Sequence, residues 1–373
     1  MVMRDRSVRT PRRGRPAMAA GSATPSVTGT AAGSWLVRGK DGRLTAYARC
    51  EGGLLRWTEH RPGGPDWSAP VFFPVGDLTD LTVAQGADAY VHFLGRRERR
   101  AGGTAQVDLV HAVQYQTGRP LTEWRSLGNP HAEPDRAALL GPPAAAVDAG
   151  GDVHVFARNA GGGLMMRREG RGGRWEPWAD LRGSDLRGRP AATAAGTGRV
   201  EVFAPAYGVT LTWGQPEPGA TPGRSEDVRP GALPGSAAAL ETAPGRVTWF
   251  WTDPAGAGLV CRRPGAWPIP LPGSPADGAH ALLRVSLDGR DCTVVAHRGA
   301  TGTVLVGVCA TEAEASGLWW ADTGRPCAGD PALALDAGGR AVLAVLGPDG
   351  GLRVARQGGG PGLTFSEWVR IPS

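Results

Sequence analysis

Lysine is almost absent from this chain of 373 residues: Lys40 is the only one, and every other basic residue except histidine is arginine. The formal net charge is +6, but most of it lies in the first seventeen residues, where six arginines accompany a single acidic residue, Asp5. The rest of the chain is therefore nearly neutral. Proteins that bind nucleic acid spread basic residues over a folded face, so this distribution argues against such a partner.

Cysteine is scarce as well, with five residues and neither a CxxC pair nor a Cys/His spacing typical of zinc sites. We expect these thiols to be buried in the core, in a reducing and therefore cytoplasmic setting, with secretion left open. The basic N-terminal segment is not followed by the apolar run of an export signal, because AMAAGSA (17–23) is short and weakly hydrophobic. No apolar run reaches the ~18–20 residues of a membrane span.

The motifs of the common enzyme classes are also missing. The chain has no GxSxG, no HExxH, no P-loop, no GxGxxG leading into a helix and no sialidase Asp-box. The histidines show no zinc spacing either. We therefore predict no metal and no cofactor, and we lean towards a function without catalysis while leaving the question open. The oligomeric state is not indicated.

What the chain has in abundance is glycine and proline, with 58 and 32 residues, arranged in a repeat. A turn followed by a strand recurs seven times: DGRLTAYAR (41–49), ADAYVHFLG (87–95), GGDVHVFAR (150–158), TGRVEVFAP (197–205), PGRVTWFWT (244–252), DGRDCTVVA (288–296) and GGRAVLAVL (338–346). The second residue of most copies is glycine, at intervals of 44 to 50 residues from Gly151 to Gly339. Periods of this length are typical of propellers, solenoids and arrays.

Each unit reads as four short strands: an alanine-rich strand, the strand quoted above, a strand after a glycine turn, and a strand bearing tryptophan. Four hairpin-connected strands form an antiparallel blade, and radial repetition buries both faces of every blade. We therefore predict an all-β, seven-bladed β-propeller over residues 33–373, with a linear β-solenoid as the alternative. Residues 1–32 are predicted to be a disordered arm rich in arginine, alanine and proline.

Two units depart from the repeat. The second gains GRRERRAGGTAQ (95–106), which we interpret as a solvated hairpin tip. The fourth replaces its tryptophan strand with a proline-rich stretch, 214–235, and proline cannot donate a ladder hydrogen bond. We therefore predict that the fourth blade lacks a regular outer strand.

The units DGRLTAYAR, GGDVHVFARNAGGGL and RWEPWADL resemble the repeats of bacterial propeller lectins of the Photorhabdus type, which are related in organisation to tectonins. The resemblance covers roughly residues 33 to 373. It implies a seven-bladed propeller that binds fucose or other glycans between its blades. Repeats of that family carry an aromatic residue after the leucine of the third strand, but the corresponding positions here are Leu55, Met165, Thr212, Val260, Val306 and Arg353.

The candidate site residues are those that break the repeat. Six tryptophans recur once per unit and are interpreted as packing anchors: Trp67, Trp124, Trp178, Trp267, Trp320 and Trp368. The predicted ligand-binding residues are the non-repeating Trp57, Trp213, Trp249, Trp251, Tyr90 and Arg158. His154 and Glu201 occupy equivalent positions in consecutive units and are the weak catalytic candidates.

Three functions remain open from the sequence. The first is a lectin-like propeller that binds a glycan or small-molecule ligand without catalysis. The second is an enzyme that transforms a small molecule in the axial funnel, and the third is a protein-interaction scaffold.

Overall fold

The structure, a computed structural model, describes residues 24–102, 104–170, 172–256 and 258–373. They form seven separate sheets of mainly four antiparallel strands. The first strands of neighbouring sheets contact one another in order, and that of the seventh sheet, Ala332–Leu335, contacts Leu36–Arg38 of the first. This closes the ring and confirms the predicted seven-bladed β-propeller.

The chain enters blade 1 through an interrupted strand. β1 (Val27–Thr30) and β3 (Leu36–Arg38) pair with successive parts of β4 (Leu44–Cys50), whereas β2 (Ala32–Gly33) pairs in parallel with β7 (Leu78–Gln85) of blade 2. The strands of these two blades are β1 (Val27–Thr30), β2 (Ala32–Gly33), β3 (Leu36–Arg38), β4 (Leu44–Cys50), β5 (Gly53–Thr58), β6 (Val71–Pro74), β7 (Leu78–Gln85), β8 (Val91–Ala101), β9 (Thr104–Gln114) and β10 (Arg125–Gly128).

The remaining blades follow the predicted order, and a short helix, α1 (Pro134–Ala138), precedes blade 3. Blade 3 contains β11 (Ala144–Val147), β12 (Val153–Arg158), β13 (Leu164–Gly170), β14 (Arg174–Trp175) and β15 (Ala179–Asp180). Blade 4 contains β16 (Ala191–Ala194), β17 (Val200–Ala206), β18 (Val209–Gly214) and β19 (Gly223–Val228). Blade 5 contains β20 (Ala238–Ala243), β21 (Arg246–Asp253), β22 (Gly258–Arg262) and β23 (Ile269–Leu271).

Blade 6 contains β24 (Ala281–Leu287), β25 (Arg290–Arg298), β26 (Thr303–Ala310) and β27 (Trp319–Pro326), with a turn of 3₁₀ helix at Glu314–Ser316. Blade 7 contains β28 (Ala332–Leu335), β29 (Ala341–Leu346), β30 (Leu352–Arg356) and β31 (Val369–Arg370). Within the described residues, no helix has the length and apolar character needed to cross a bilayer.

The repeated glycine has a conformational reason. It stands in the turn between the first and second strands, where φ is positive, between 70° and 86°. Glycine enters this region without the steric cost that a Cβ imposes. The glycines concerned are Gly42, Gly151, Gly198, Gly245, Gly289 and Gly339.

The structure differs in detail from three local expectations. β1 lies within the stretch 1–32 that was assigned to an arm, and residues 1–23 of that arm are outside the described residues. Blade 4 has a fourth strand, β19, because its prolines lie before and after the strand and not inside it, but the pairing of β19 with β18 shifts register between Leu211 and Trp213, so the outer strand is present and irregular. The stretch 95–106 extends β8 and β9 as a long hairpin, and Arg96 is not simply solvated: it donates to the Leu140 carbonyl at 2.9 Å.

The ring has two faces, which organise the sites described below. The turn face carries the turns between the first and second strands, such as residues 148–152, and the loops between the third and fourth strands. The hairpin face carries the hairpins between the second and third strands, such as residues 207–208, and the connections between blades.

The ring closes between blades 7 and 1 by side-chain packing, because no described strand of blade 7 pairs with a strand of blade 1. Ala344 and Val354 of blade 7 share one buried cluster with Trp35 and Leu55 of blade 1. Polar contacts add to this cluster at the turn face. The fully buried carboxylate of Glu59 pairs with Arg356, which also donates to the Gly64 carbonyl at 2.7 Å.

Candidate functional site

A large cleft lies on the turn face between blades 6 and 7, and we call it the 6/7 groove. It has a volume of about 1000 Å³. One wall is the turn Leu287–Arg290 with the first residues of β27, and the other is the loop 362–368 that leads to β31. The two walls are joined by a hydrogen bond of 2.8 Å from the Gly362 amide to the Asp288 carboxylate.

Trp319 gives this groove an aromatic surface, because 74% of the residue is exposed to solvent. Successive side chains of a strand point to opposite sides, so Trp319 and Trp320 face different neighbours. The ring of Trp320 packs towards blade 5, against His297 at a centroid distance of 4.8 Å and close to Gly273. Trp319 is consequently left facing blade 7.

Polar and charged groups share the lining of the groove with the exposed indole. The Asp288 carboxylate is fixed by the hydrogen bond from the Gly362 amide, and Arg290 and Glu367 add charges of both signs. Asp322 lies on the same side of β27 as Trp320, where its carboxylate accepts from the Thr303 hydroxyl at 3.0 Å and from the Gly324 amide at 2.8 Å. A cleft that combines an aromatic face with a fixed carboxylate can hold a ligand that has an apolar face and several hydroxyl groups.

Blades 4 and 5 form a second cleft on the same face, the 4/5 groove, with a volume of about 460 Å³. Glu201 and Trp249 line it, and the indole N–H of Trp249 donates to the Glu201 carboxylate at 3.2 Å. Burial raises the pKa of the Glu201 carboxyl, while the hydrogen bond from Trp249 and the charge of Arg199 act in the opposite direction. Glu201 is thus a half-buried acid in a cleft, a setting that can serve proton transfer.

His154 lies elsewhere, and the structure does not bring it together with Glu201 as a catalytic pair. Its Nε2 is 3.0 Å from the Asp148 carboxylate, and the side chain is 1% exposed. A buried imidazole that is engaged with a neighbouring carboxylate has no open path to a substrate. Its structural role is to hold the first turn of blade 3, where Asp148 also accepts the amides of Gly150 and Asp152.

All four of the predicted ligand-binding tryptophans are buried. The indole of Trp213 donates to the Leu181 carbonyl at 2.9 Å, and that of Trp57 donates to the Pro372 carbonyl at 3.3 Å. Trp251 packs on Phe203 with a ring-centroid distance of 5.2 Å. Trp57, Trp213 and Trp251 are at most 3% exposed, although Trp213 also lines the 4/5 groove, so a ligand-binding role for these three stays a prediction.

The other predicted residues are dispersed. Trp249 stacks on Phe203 at 4.8 Å and borders the 4/5 groove. Tyr90 lies at the turn of blade 2, where its ring meets that of Tyr115 edge-on at 4.9 Å. Arg158 ends β12 at the hairpin face and donates to the Leu139 carbonyl at 3.4 Å. The structure therefore does not gather these residues into one site.

Among the repeated tryptophans, Trp67 is buried, and Trp124, Trp178, Trp320 and Trp368 are partly buried against the hydrophobic clusters. Trp267 is the exception, because it is 90% exposed. It stands in the loop before β23, which begins two residues later at Ile269.

Comparison with known proteins places the chain by fold and not by sequence. No protein-family model matches it, and no curated protein matches it by sequence. The BP39L lectin from Burkholderia pseudomallei is 14% identical over 93% of this chain and all of its own, with a TM-score of 0.69. An ulvan lyase of a polysaccharide lyase family, PL25, is 10% identical over 89% of this chain and 94% of its own, with a TM-score of 0.55.

These identities show a shared fold only. The resemblance to propeller lectins is therefore supported at the level of the seven-bladed ring, since a lectin is among the proteins that share it. Membership of the Photorhabdus-type family stays a prediction.

Proposed function

We propose that this protein binds carbohydrate without transforming it, and that the 6/7 groove is the binding site. The observation that carries the proposal is Trp319, an exposed indole in a cleft of about 1000 Å³, with the Asp288 carboxylate in the same lining. A sugar ring has an apolar face that stacks on an indole and hydroxyl groups that donate to carboxylates. The presence of a lectin among proteins of this fold is consistent with this function.

The test is a glycan array on the purified protein, followed by fluorescence titration with the glycans that bind. We expect Trp319→Ala to weaken binding by about tenfold or more, equivalent to ~1.4 kcal/mol, because the stacking surface is lost. Trp267→Ala is the matched control, since it removes a tryptophan that is even more exposed but does not line the groove, and it should leave binding unchanged. The proposal fails if no glycan binds, or if Trp319→Ala binds as well as the wild type.

A catalytic alternative is favoured by one observation, the half-buried Glu201 carboxyl that lines the 4/5 groove beside Trp249. The same glycans can decide it. If incubation with the protein cleaves them, and Glu201→Gln abolishes the cleavage, then the protein is a carbohydrate-active enzyme. Recovery of intact glycans supports binding alone.

A further inference from the structure

The axis of the ring encloses a cavity of about 250 Å³ that is separate from the two grooves. Its wall is built largely from the alanine-rich first strands, including Ala144 and Ala192. Arg189 and Asp330 also line it, directly before the first strands of blades 4 and 7, so they mark its mouth on the hairpin face. The grooves open on the opposite face.

Charged side chains from five blades meet around this mouth. Arg189 of blade 4 reaches across to Asp80 of blade 2, with an N–O distance of 3.0 Å. Asp330 of blade 7 interacts electrostatically with Arg189 and with Arg298 of blade 6. Arg49 of blade 1 donates to the Thr79 carbonyl beside Asp80, and its charge also reaches Arg189. The group holds three guanidinium groups and two carboxylates, and its formal charge is +1.

Several polar atoms of this region have no hydrogen-bond partner among the described residues. Arg189 and Arg298 each have a buried, unpartnered Nε–H. Trp35 and His280 also line the cavity, are 2% and 5% exposed, and leave the indole N–H and the imidazole Nδ1 unpartnered. The buried N–H groups of Arg189, Arg298 and Trp35 carry a desolvation cost unless a partner accepts from them.

Around the mouth of the axial cavity, unpartnered hydrogen-bond donors of the described residues outnumber unpartnered acceptors. The Asp80 carboxylate already accepts from Arg189 and from the Thr79 hydroxyl, and Asp330 accepts the Ala279 amide. Burial raises the pKa of the Asp330 carboxyl, while the hydrogen bond from the Ala279 amide and the charges of Arg298 and Arg189 act in the opposite direction. The ligand that fits such a mouth is acceptor-rich and anionic.

We infer that the axial cavity is a second binding site, which takes a small organic acid through its carboxylate, with Arg189 as the main contact. The alanine wall limits the ligand to a molecule of a few carbon atoms up to a single sugar acid, since the whole cavity is about 250 Å³. This inference does not depend on the 6/7 groove, because it uses different residues on the opposite face.

The experiment is calorimetric titration of the full chain at low salt with D-glycerate and D-glucuronate. Glycerol and glucose serve as uncharged controls of similar shape. We expect both acids to bind and both neutral compounds to be silent. The paired variant Arg189→Met with Asp80→Asn should weaken acid binding by about tenfold or more, as expected for the loss of a charged hydrogen-bond donor.

The matched control is Arg97→Met with Asp108→Asn. It removes another half-buried arginine–aspartate pair, with an N–O distance of 2.7 Å, that does not line the cavity. Urea unfolding of both paired variants checks that each remains folded. The inference is overturned if neither acid binds, if the neutral compounds bind equally well, or if the two paired variants lose the same affinity. If neither acid binds, the role of Arg189 is only to hold blades 2 and 4 together.

Discussion

At the scale of single residues, the exposure of a tryptophan in this propeller depends on the direction of its side chain and not on whether the residue recurs in the repeat. Trp320 and Trp319 are neighbours, yet one packs on His297 and the other is largely exposed in the 6/7 groove. Trp267 recurs with the repeat but is exposed, whereas Trp213 breaks the repeat and is buried. Recurrence alone therefore does not tell which indole is available to a ligand.

The buried indoles differ in whether the N–H is satisfied, which gives a prediction about stability. Trp213 donates to the Leu181 carbonyl, whereas the N–H of Trp251 has no partner among the described residues. Trp213→Phe removes an existing hydrogen bond, whereas Trp251→Phe removes an N–H that has no partner in the described part of the chain. We therefore expect Trp213→Phe to lower the free energy of unfolding by about 1–3 kcal/mol more than Trp251→Phe does. Urea unfolding of the two variants measures the difference, and equal losses would contradict it.

At the level of residues, the sequence predicted the glycines that the turn conformation requires, but it did not predict which tryptophan is exposed. The glycines at 151, 198, 245, 289 and 339 were found because a positive φ requires that residue type at a fixed place in each unit. Trp319 was missed although the pair in GLWWADTG breaks the repeat, and alternation along a strand would have turned it away from Trp320. Trp57 and Trp213 broke the repeat for the different reason that they fill gaps between blades.

At the scale of elements, the 6/7 groove depends on the contact between β26 and β27. Gly307 of β26 lies opposite Trp320, and an added Cβ would approach the indole ring to 2.8 Å. We expect Gly307→Ala to lower the free energy of unfolding by about 1–3 kcal/mol through overpacking. It should also weaken glycan binding, because a shift of Trp320 displaces the neighbouring Trp319.

Gly223 provides the matched control for this substitution. It is also a strand glycine, the first residue of β19, but an added Cβ would meet no atom within 4 Å. Gly223→Ala should therefore be neutral or stabilise by less than ~1 kcal/mol, by restricting the unfolded chain. Urea unfolding and glycan titration of both variants test the pair, and similar behaviour of the two would refute the argument.

The elements themselves were largely predictable, because hairpin turns and alternating apolar residues mark them locally. The exceptions are strands whose partners are distant or whose sequences are polar. β19 reads GRSEDV and has five exposed residues out of six, so only its pairing with β18 identifies it. β1 lies in a segment without a turn signal, and its pairing with β4 is what orders it.

At the scale of the whole molecule, neutral histidines buried in the blades make stability depend on pH. Burial lowers the pKa of His92 and His297 to about 4 and that of His111 and His280 to about 3. In the unfolded chain a histidine titrates near 6.5, so below that pH the unfolded state takes up protons that the folded state refuses. The contribution of these histidines to the free energy of unfolding is fully present above pH 6.5 and decreases as the pH falls towards 4.

Each of these histidines removes about 1.4 kcal/mol for every pH unit below 6.5. Urea unfolding at pH 7.5, 6.5 and 5.5 should show this loss. In His297→Phe the free energy of unfolding should fall less steeply with decreasing pH, by the contribution of one histidine. At pH 7.5 it should equal that of the wild type, because neither ring nitrogen of His297 has a partner among the described residues. An unchanged slope in this variant would show that His297 is not part of the effect.

The ring as a whole was predicted from seven copies of one pattern, since a blade with two apolar faces is buried only between neighbours. Ring closure was not predictable, because it rests on contacts between residues about 300 positions apart, such as Glu59 with Arg356.

Contiguous blades have a consequence for how the chain can be divided. A cut in the segment 183–187, between blades 3 and 4, would leave every sheet whole, because no ladder hydrogen bond crosses from one sheet to the next there. The interface between blades 7 and 1 already holds without a covalent link, through the cluster around Trp35 and the pair Glu59–Arg356. The protein is thus a natural candidate for fragment complementation, in which a three-blade and a four-blade piece reassemble into one ring.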